Sequence, residues 1–185
     1  MKTISSRIVY ENRWMRVRED AITRADGTAG IYGVIEKPDF ALIIPIHGEH
    51  LYLVEQLRYP VGARFLEFPQ GTWEQNPAAD PSELARGELQ EETGLSAKRM
   101  DYLGHLFIAY GMSNQGFHIF RATDLTQGET RLEPEEQDLT VKRVSIADFE
   151  AYVRTGVIKD AGTISAWMLH KMHEGKSADV HPTDL

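Results

Sequence analysis

One segment near the middle of the chain has both ends marked by capping residues, and it constrains the fold more than any other. Asp80 suits the N-cap of a helix and Pro81 its first position, while Glu83 completes a capping pattern. Gly94 suits the left-handed position just past a helix end. Together these residues predict an α-helix from about residue 81 to residue 93.

The same helix carries three glutamates, Glu88, Glu91 and Glu92, within the sequence GELQEETGL. At about 100° per residue they lie roughly 60° to 100° from Leu84 on a helical wheel, on the side that faces the protein body. Carboxylates three and four residues apart repel each other, and burial raises their pKa values. A hard divalent cation bound through oxygen ligands removes this conflict. The alternative is an acidic helix face exposed to solvent.

The composition limits the class of protein. The 185 residues, 42% of them hydrophobic, can bury the core of one ordinary domain with a small appendage. The longest apolar stretch, FALIIPI at residues 40–46, is too short to span a bilayer, and the chain contains no cysteine. We therefore expect a soluble, cytoplasmic protein with no membrane partner. The formal charge of -8 argues against nucleic acid as a partner, so a phosphate ligand would need a cation.

Hydrophobic periodicity predicts strands on both sides of the central helix. Residues 7–37 show an alternating meander with a turn at Asp26 and Gly27, and a β-rich hairpin follows it. Two more strands follow the central helix, and two capped helices close the chain. In order, these later segments are FALIIPIH, HLYLVEQLRY, MDYLGHLFIAY, GFHIFRATDL, SIADFEAYVRTG and DAGTISAWMLHKMHEG.

The sequence ELQEETGL at residues 88–95 resembles the second half of the Nudix hydrolase signature, and LEFPQG at 66–71 resembles the strand and glycine that open it. The flanks VEQLRYPVG and YGVIEKPDFALIIPI are similar to the branch that hydrolyses ADP-ribose and nucleoside diphosphate sugars. The resemblance implies an α/β (α+β) Nudix fold, with a mixed β-sheet sandwiched between helices and an N-terminal antiparallel meander. It also implies hydrolysis of a nucleoside diphosphate linked to another group, with Mg²⁺ or Mn²⁺, to a nucleoside monophosphate and a sugar phosphate.

The resemblance also assigns residues to the metal. Glu88 and Glu92 would bind it, Glu91 would assist, and the backbone carbonyl of Gln70 would complete the set. Glu91 and Glu92 are then the catalytic candidates for activating water, together with an acid in residues 132–138.

The resemblance and the residue types suggest further substrate contacts. Arg58 matches a position that contacts the diphosphate, although it also fits a surface arginine at a strand edge. Glu67 would support a metal ligand. Trp14 and Tyr110, like Tyr32, could stack on a base, and the alternative for each aromatic is a place in the core.

Two regions of the chain depart from the family pattern, the first half of the signature and a later loop. Gly87 replaces the arginine of the signature and Ala79 its first glutamate, so both partners of an ion pair that braces the motif are missing. Gly71 lies two residues farther upstream than the pattern allows, which predicts an insertion in the loop. In the segment AYGMSNQG, Tyr110 occupies a position where the resembling branch has a proline. Gln115 occupies the position of an acidic residue that helps to position water. An amide can orient a water but cannot accept its proton.

Two functions therefore remain open on the sequence. One is a metal-dependent pyrophosphohydrolase, and the other is a catalytically weakened Nudix-fold module that binds or senses a nucleotide. The three intact glutamates favour the enzyme, since a binding module has no need for their mutual repulsion. The histidines at positions 47, 50, 105, 118, 170 and 173 show no metal-binding spacing that competes with the glutamates.

The predicted organisation is a meander over residues 1–38, a catalytic domain over 39–175 and a flexible tail over 176–185. The meander has too few apolar residues for a core of its own. In the resembling branch this segment builds a twofold dimer and reaches the active site of the partner, which predicts a homodimer and a shared-site role for Trp14.

Overall fold

The computed structural model describes residues 1–73, 76, 78–132 and 137–175. The predicted tail at 176–185 and the acids at 133–136 lie outside these residues. The elements are β1 (Lys2–Glu11), β2 (Arg16–Thr23), β3 (Ala29–Glu36), β4 (Phe40–His47), β5 (His50–Arg58), a 3₁₀ turn (Tyr59–Val61), β6 (Ala63–Glu67), β7 (Gln70–Gly71), α1 (Pro81–Thr93), β8 (Leu95–Phe107), β9 (Gly116–Gln127), β10 (Thr140–Ser145), α2 (Ile146–Thr155) and α3 (Ala161–Glu174).

The N-terminal residues form a separate antiparallel sheet in the order β1-β2-β3. The predicted turn between β2 and β3 is confirmed, because Gly27 has a φ of 85° and Asp26 accepts hydrogen bonds from the backbone N–H and the hydroxyl of Thr28. Strand β1 begins at Lys2, within the predicted meander of residues 1–38 but before the alternating pattern that starts at residue 7, and every residue of β1 is exposed. The short alternating pattern before residue 7 carries little apolar signal, which explains the difference.

The main sheet has seven strands, with the path β10-β5-β4-β9-β8 and with β6 paired to β5 and β7 to β4. Strands β4 and β9 run parallel, and the other pairs are antiparallel. The sheet is therefore mixed, as predicted. Strand β4 is buried from Ala41 to Pro45, which fits a central strand covered on both faces.

Helices cover the two faces of this sheet. On one face, Leu84, Ala85 and Leu89 of α1 pack against Ala41 and Ile43 of β4. On the other face, α2 and α3 form a second cluster with alternate residues of the same strand. That cluster includes Leu42, Ile44, Phe68, Phe149, Ala166 and Trp167. The alternation of β4 side chains thus joins two cores into one sandwich.

The predicted limits of the central helix are confirmed. Asp80 accepts hydrogen bonds from the backbone N–H groups of Ser82 and Glu83, and Gly94 takes the left-handed conformation with a φ of 71°. Because Leu84 and Leu89 anchor the helix on the sheet, the angle around its axis is fixed. This orientation turns one acidic edge of α1 toward the short strand β7.

Candidate active site

Two of the three glutamates of α1 are buried beside β7. Glu88 is 5% exposed and Glu92 is fully buried. Oε2 of Glu92 accepts a hydrogen bond of 3.0 Å from the backbone N–H of Gln70. A side chain on Gly71 would place its Cβ 2.6 Å from Cδ of Glu88, so glycine is required for the carboxylate to lie against this backbone. The loop before α1 and the helix itself therefore meet at two carboxylates, one turn apart.

Glu91 lies half-buried on the same edge and contacts a residue that the sequence did not single out. Its Oε2 lies 3.4 Å from Nε1 of Trp73, which donates to it. The indole of Trp73 also covers Gly87, where a Cβ would lie 3.0 Å from Cε2 and Cη2 of the ring. The position of the missing signature arginine is thus filled from the loop by a tryptophan, which the sequence reasoning missed.

A second group of charged residues lies beside Gln70. Nη2 of Arg58 lies 2.7 Å from Oε1 of Glu67, and its Nε donates to Oε2 at 3.1 Å. The side-chain amide of Gln70 donates to Glu67 at 3.2 Å and to Asp160 at 3.3 Å. Asp160 also caps α3 by accepting from the N–H of Thr163. Sequence reasoning missed Asp160, whose only local signal was its suitability as a helix cap.

Burial controls the ionisation of Glu67. It is 2% exposed, and this desolvation raises the pKa of its carboxyl above the ordinary value of 4.5, although the neighbouring charge of Arg58 opposes the shift. Asp160 raises the pKa of Glu67 further through repulsion between the two carboxylates. A cation near Gln70 would favour the ionised form of Glu67.

Trp14 lies away from the glutamates, in a cleft between the two sheets. The cleft has a volume of about 510 Å³ and extends from the turn around Trp14 past Lys37 and Pro38 to Thr72, the residue after Gly71. The guanidinium of Arg13 lies 4.1 Å from the ring centroid of Trp14. This cleft is large enough for a nucleotide and ends beside the loop that carries Gly71.

The structure does not bring the other predicted substrate residues into one contact group. Tyr110 is 84% exposed, and Gln115 donates its side-chain amide to the carbonyl of Pro38 at 2.8 Å. Tyr32 donates its hydroxyl to the carbonyl of Gly111. The amide of Gln115 therefore holds the loop 108–115 against the start of β4, a structural task that its position in the sequence does not reveal.

Although the spacing of the histidines along the sequence indicated no metal site, the structure brings two of them together with a carboxylate. His105 and His118 pair across β8 and β9, and Asp39 of the neighbouring strand segment meets both side chains. Their potential ligand atoms all lie within 4.8 Å of one another. Burial, and then repulsion from His105, lowers the pKa of His118 below its ordinary value of 6.5. The signal was absent from the sequence because these residues meet only through sheet pairing.

The donors near Gly71 fit a hard divalent cation. Glu88 and Glu92 bring two buried carboxylates within one helical turn, and Gln70 brings backbone groups to the same place. Mg²⁺ and Mn²⁺ prefer such oxygen ligands, and a cation offsets the cost of two buried like charges. The geometry supports a divalent cation at this edge of α1.

Comparisons with known proteins agree with this geometry. The model of the NUDIX domain matches residues 37–168, and that of the nucleoside diphosphate sugar hydrolase N-terminal domain matches residues 1–35. The chain is 24% identical over 175 residues to the methanol dehydrogenase activator of Bacillus methanolicus, covering 94% of each sequence. It is also 24% identical over 179 residues to the ADP-ribose pyrophosphatase of Bacillus subtilis (strain 168), covering 96% of each.

A solved structure shows the same fold. The crystal structure of an ADP compounds hydrolase superposes with a TM-score of 0.81 at 23% sequence identity, over 95% of this chain and 97% of that one. Among the residues that the structure describes, no helix is both long and apolar enough to cross a membrane. With a matching domain model over most of its length and the acidic edge of α1 beside Gly71, this chain belongs to the Nudix hydrolase family.

Proposed function

We propose that the chain hydrolyses the diphosphate bond of a nucleoside diphosphate sugar or of ADP-ribose, using Mg²⁺ or Mn²⁺, and releases a nucleoside monophosphate and a sugar phosphate. The observation that carries this proposal is the burial of Glu88 and Glu92 against Gly71 and Gln70. The match of the first 35 residues to the N-terminal domain of nucleoside diphosphate sugar hydrolases supports the substrate class.

The residues have distinct tasks in this proposal. Glu88 and Glu92 hold the cation, and the backbone of Gln70 positions Glu92 through the hydrogen bond to its Oε2. When bound, the cation neutralises the diphosphate and activates the attacking water as a Lewis acid. Glu91 is half-buried at the edge of the same site, so its carboxylate can accept a proton from that water.

Arg58 and Trp14 serve the substrate. Arg58 is 40% exposed at its side chain, and Glu67 fixes its guanidinium through two contacts, so one side remains oriented for a phosphate oxygen. Trp14 lines the cleft of about 510 Å³, where its ring can stack on a base. Substrate would then extend from Trp14 past Thr72 to the glutamates.

A nucleotide-binding module without hydrolysis is the second candidate. It is favoured by Gln115, whose amide is bonded to Pro38 and supplies no proton acceptor from that loop. In this case Glu91 would not act as a base, and the cleft would bind a nucleotide without cleaving it.

The test is a screen of ADP-ribose and several nucleoside diphosphate sugars with Mg²⁺ or Mn²⁺, with the products separated and identified. We expect cleavage between the two phosphates. Glu92→Gln should reduce the rate of the best substrate by about 100-fold or more, since removal of a metal ligand removes the charge stabilisation. Glu83→Gln is the matched control, because Glu83 lies on the exposed side of the same helix.

The two candidates give different results. If the chain is a binding module, calorimetry should show saturable nucleotide binding, and no product should form with any metal. Hydrolysis by Glu92→Gln at the parental rate would contradict the assignment of the site. Thermal unfolding of Glu92→Gln without metal distinguishes loss of a metal ligand from loss of folding. Because the substitution relieves the repulsion between Glu88 and Glu92, its free energy of unfolding should be equal to that of the parent or slightly higher.

A further inference from the structure

Two imidazoles and one carboxylate meet on the α1 face of the main sheet, outside the acidic edge described above. Nε2 of His105 lies 2.8 Å from Oδ2 of Asp39, and Nε2 of His118 lies 3.8 Å from the same oxygen. The two imidazole centroids are 4.8 Å apart. We propose that Asp39, His105 and His118 form a second metal site, which binds a divalent metal ion that accepts imidazole ligands, such as Zn²⁺.

The chemistry of this donor set differs from that of the glutamates. Imidazole nitrogen is a ligand for Zn²⁺, Co²⁺, Ni²⁺ and Cu²⁺, whereas Mg²⁺ prefers oxygen alone. In a tetrahedral zinc site with bonds of about 2.0 to 2.1 Å, neighbouring ligand atoms lie roughly 3.3 Å apart. The atoms in the present group all lie within 4.8 Å of one another, so small movements toward the ion would bring them to this spacing.

The surroundings hold each ligand in place. The backbone N–H of Gly116 donates to Oδ1 of Asp39 at 2.7 Å, which leaves Oδ2 facing the imidazoles. The hydroxyl of Tyr102 lies 3.4 Å from Nδ1 of His118, so the opposite nitrogen faces Asp39. Gly116 also leaves room for His105, because a Cβ there would lie 2.5 Å from Cε1 of the ring. Such outer hydrogen bonds orient metal ligands in known sites.

The group is accessible and has space beside it. The side chains of Asp39, His105 and His118 are 38%, 28% and 24% exposed. Asp39 and His118 also line a cavity of about 50 Å³ together with Trp73 and Asn76. A water molecule needs only about 10 to 15 Å³ of such space, so an ion with three protein ligands can keep a water in its fourth position.

The two sites share no ligand. Asp39 lies just before β4, and His105 and His118 lie on β8 and β9, whereas Glu88 and Glu92 belong to α1. They are nevertheless close along the sheet, because Ala41, two residues after Asp39, pairs with Gly71. Metal bound at the histidines would therefore fix the strand that supports the loop before α1.

The test uses the untagged full chain after chelator treatment, with Mg²⁺ in excess to occupy the oxygen ligands. Titration with Co²⁺ should give one tightly bound ion per chain. Its visible absorption should be that of four- or five-coordinate Co²⁺ with nitrogen and oxygen ligands, and Zn²⁺ should displace the Co²⁺. Zn²⁺ should also raise the unfolding temperature, because it binds the folded state. The same binding should persist in the double variant Glu88→Gln/Glu92→Gln.

Matched variants identify the ligands. His118→Gln and Asp39→Asn should each weaken Zn²⁺ binding by at least about tenfold, whereas His47→Gln, at an exposed position of the β4–β5 hairpin, should leave it unchanged. If one variant does not fold, the other and His105→Gln provide the comparison. Equal Zn²⁺ affinity of the parent and of the folded ligand variants would overturn the proposal, as would the absence of binding by the parent at micromolar Zn²⁺.

Discussion

The indole of Trp73 lies so close to Gly87 that it leaves no space for a side chain at residue 87. A Cβ at this position would be 3.0 Å from Cε2 and Cη2 of the ring and closer still to Cζ2. The same indole donates to Glu91. The loss of the signature arginine is thus matched by an aromatic residue from the preceding loop.

Gly87→Ala should destabilise the protein by about 1 to 3 kcal/mol, because the methyl group forces Trp73 away from α1. In the background Trp73→Ala the same change should stabilise it by roughly 1 kcal/mol, since alanine favours the helix over glycine. Urea unfolding of the four proteins in this cycle measures the effect. Stabilisation by Gly87→Ala in both backgrounds would show that the contact between Trp73 and Gly87 carries no energy.

The elements with local signals were predicted well. Asp80, Pro81 and Gly94 define α1 through capping, which depends on neighbours within one turn, and the structure places the helix at Pro81–Thr93. The β-rich run after Phe40 likewise predicted a strand, and the burial of β4 on both faces explains its continuous apolar sequence.

The interactions that the sequence did not reveal are those set by tertiary pairing. Trp73 and Gly87 meet because a loop folds back on a helix, and His105 meets His118 because of the register between β8 and β9. Asp39 joins them from the residue before β4, a strand whose parallel pairing with β9 follows from the topology of the whole sheet. The spacing of these residues along the sequence does not indicate that their side chains lie close together.

Gln115→Glu should lower stability without increasing hydrolysis. The amide of Gln115 donates to the carbonyl of Pro38, and a carboxylate would place an acceptor against an acceptor, at a cost of about 1 to 3 kcal/mol. Thermal unfolding and the rate with the best substrate measure the two effects. Gln115→Met removes the hydrogen bond without adding charge and serves as the control. A severalfold increase in rate at unchanged stability would instead assign Gln115 to the positioning of water.

The N-terminal sheet should bury apolar residues of one face against a second copy of the chain. Tyr10 and Ile31 are 52% and 69% exposed, and the strand register places them on the same face of this sheet. We expect a homodimer by light scattering at micromolar concentration, and Ile31→Glu should shift it toward monomer. Met168→Glu, on an exposed position of α3, is the control. A monomeric parent protein would remove the dimer and the shared-site role expected for Trp14, and would leave Trp14 only its place in the cleft of its own chain.

His170 should make the stability of the protein fall in mild acid. It lies on α3 beside Trp167 and is 1% exposed. Burial lowers its pKa below the ordinary 6.5, and nearby positive groups lower it further, while Glu174, at 3.5 Å from Nε2, opposes the shift. The unfolded chain therefore binds more protons than the folded one between the lowered pKa and pH 6.5, so the free energy of unfolding increases with pH across this window.

His170→Leu should remove this contribution, because leucine fills the buried space and does not titrate. Urea unfolding between pH 5 and pH 7.5 should give a smaller loss of stability on acidification for the variant than for the parent. The difference cannot exceed about 1.4 kcal/mol per pH unit, the limit for one proton. His47→Leu, at an exposed position, should retain the parental slope. An equal slope for His170→Leu and the parent would mean that His170 takes up its proton in the folded state as readily as in the unfolded chain.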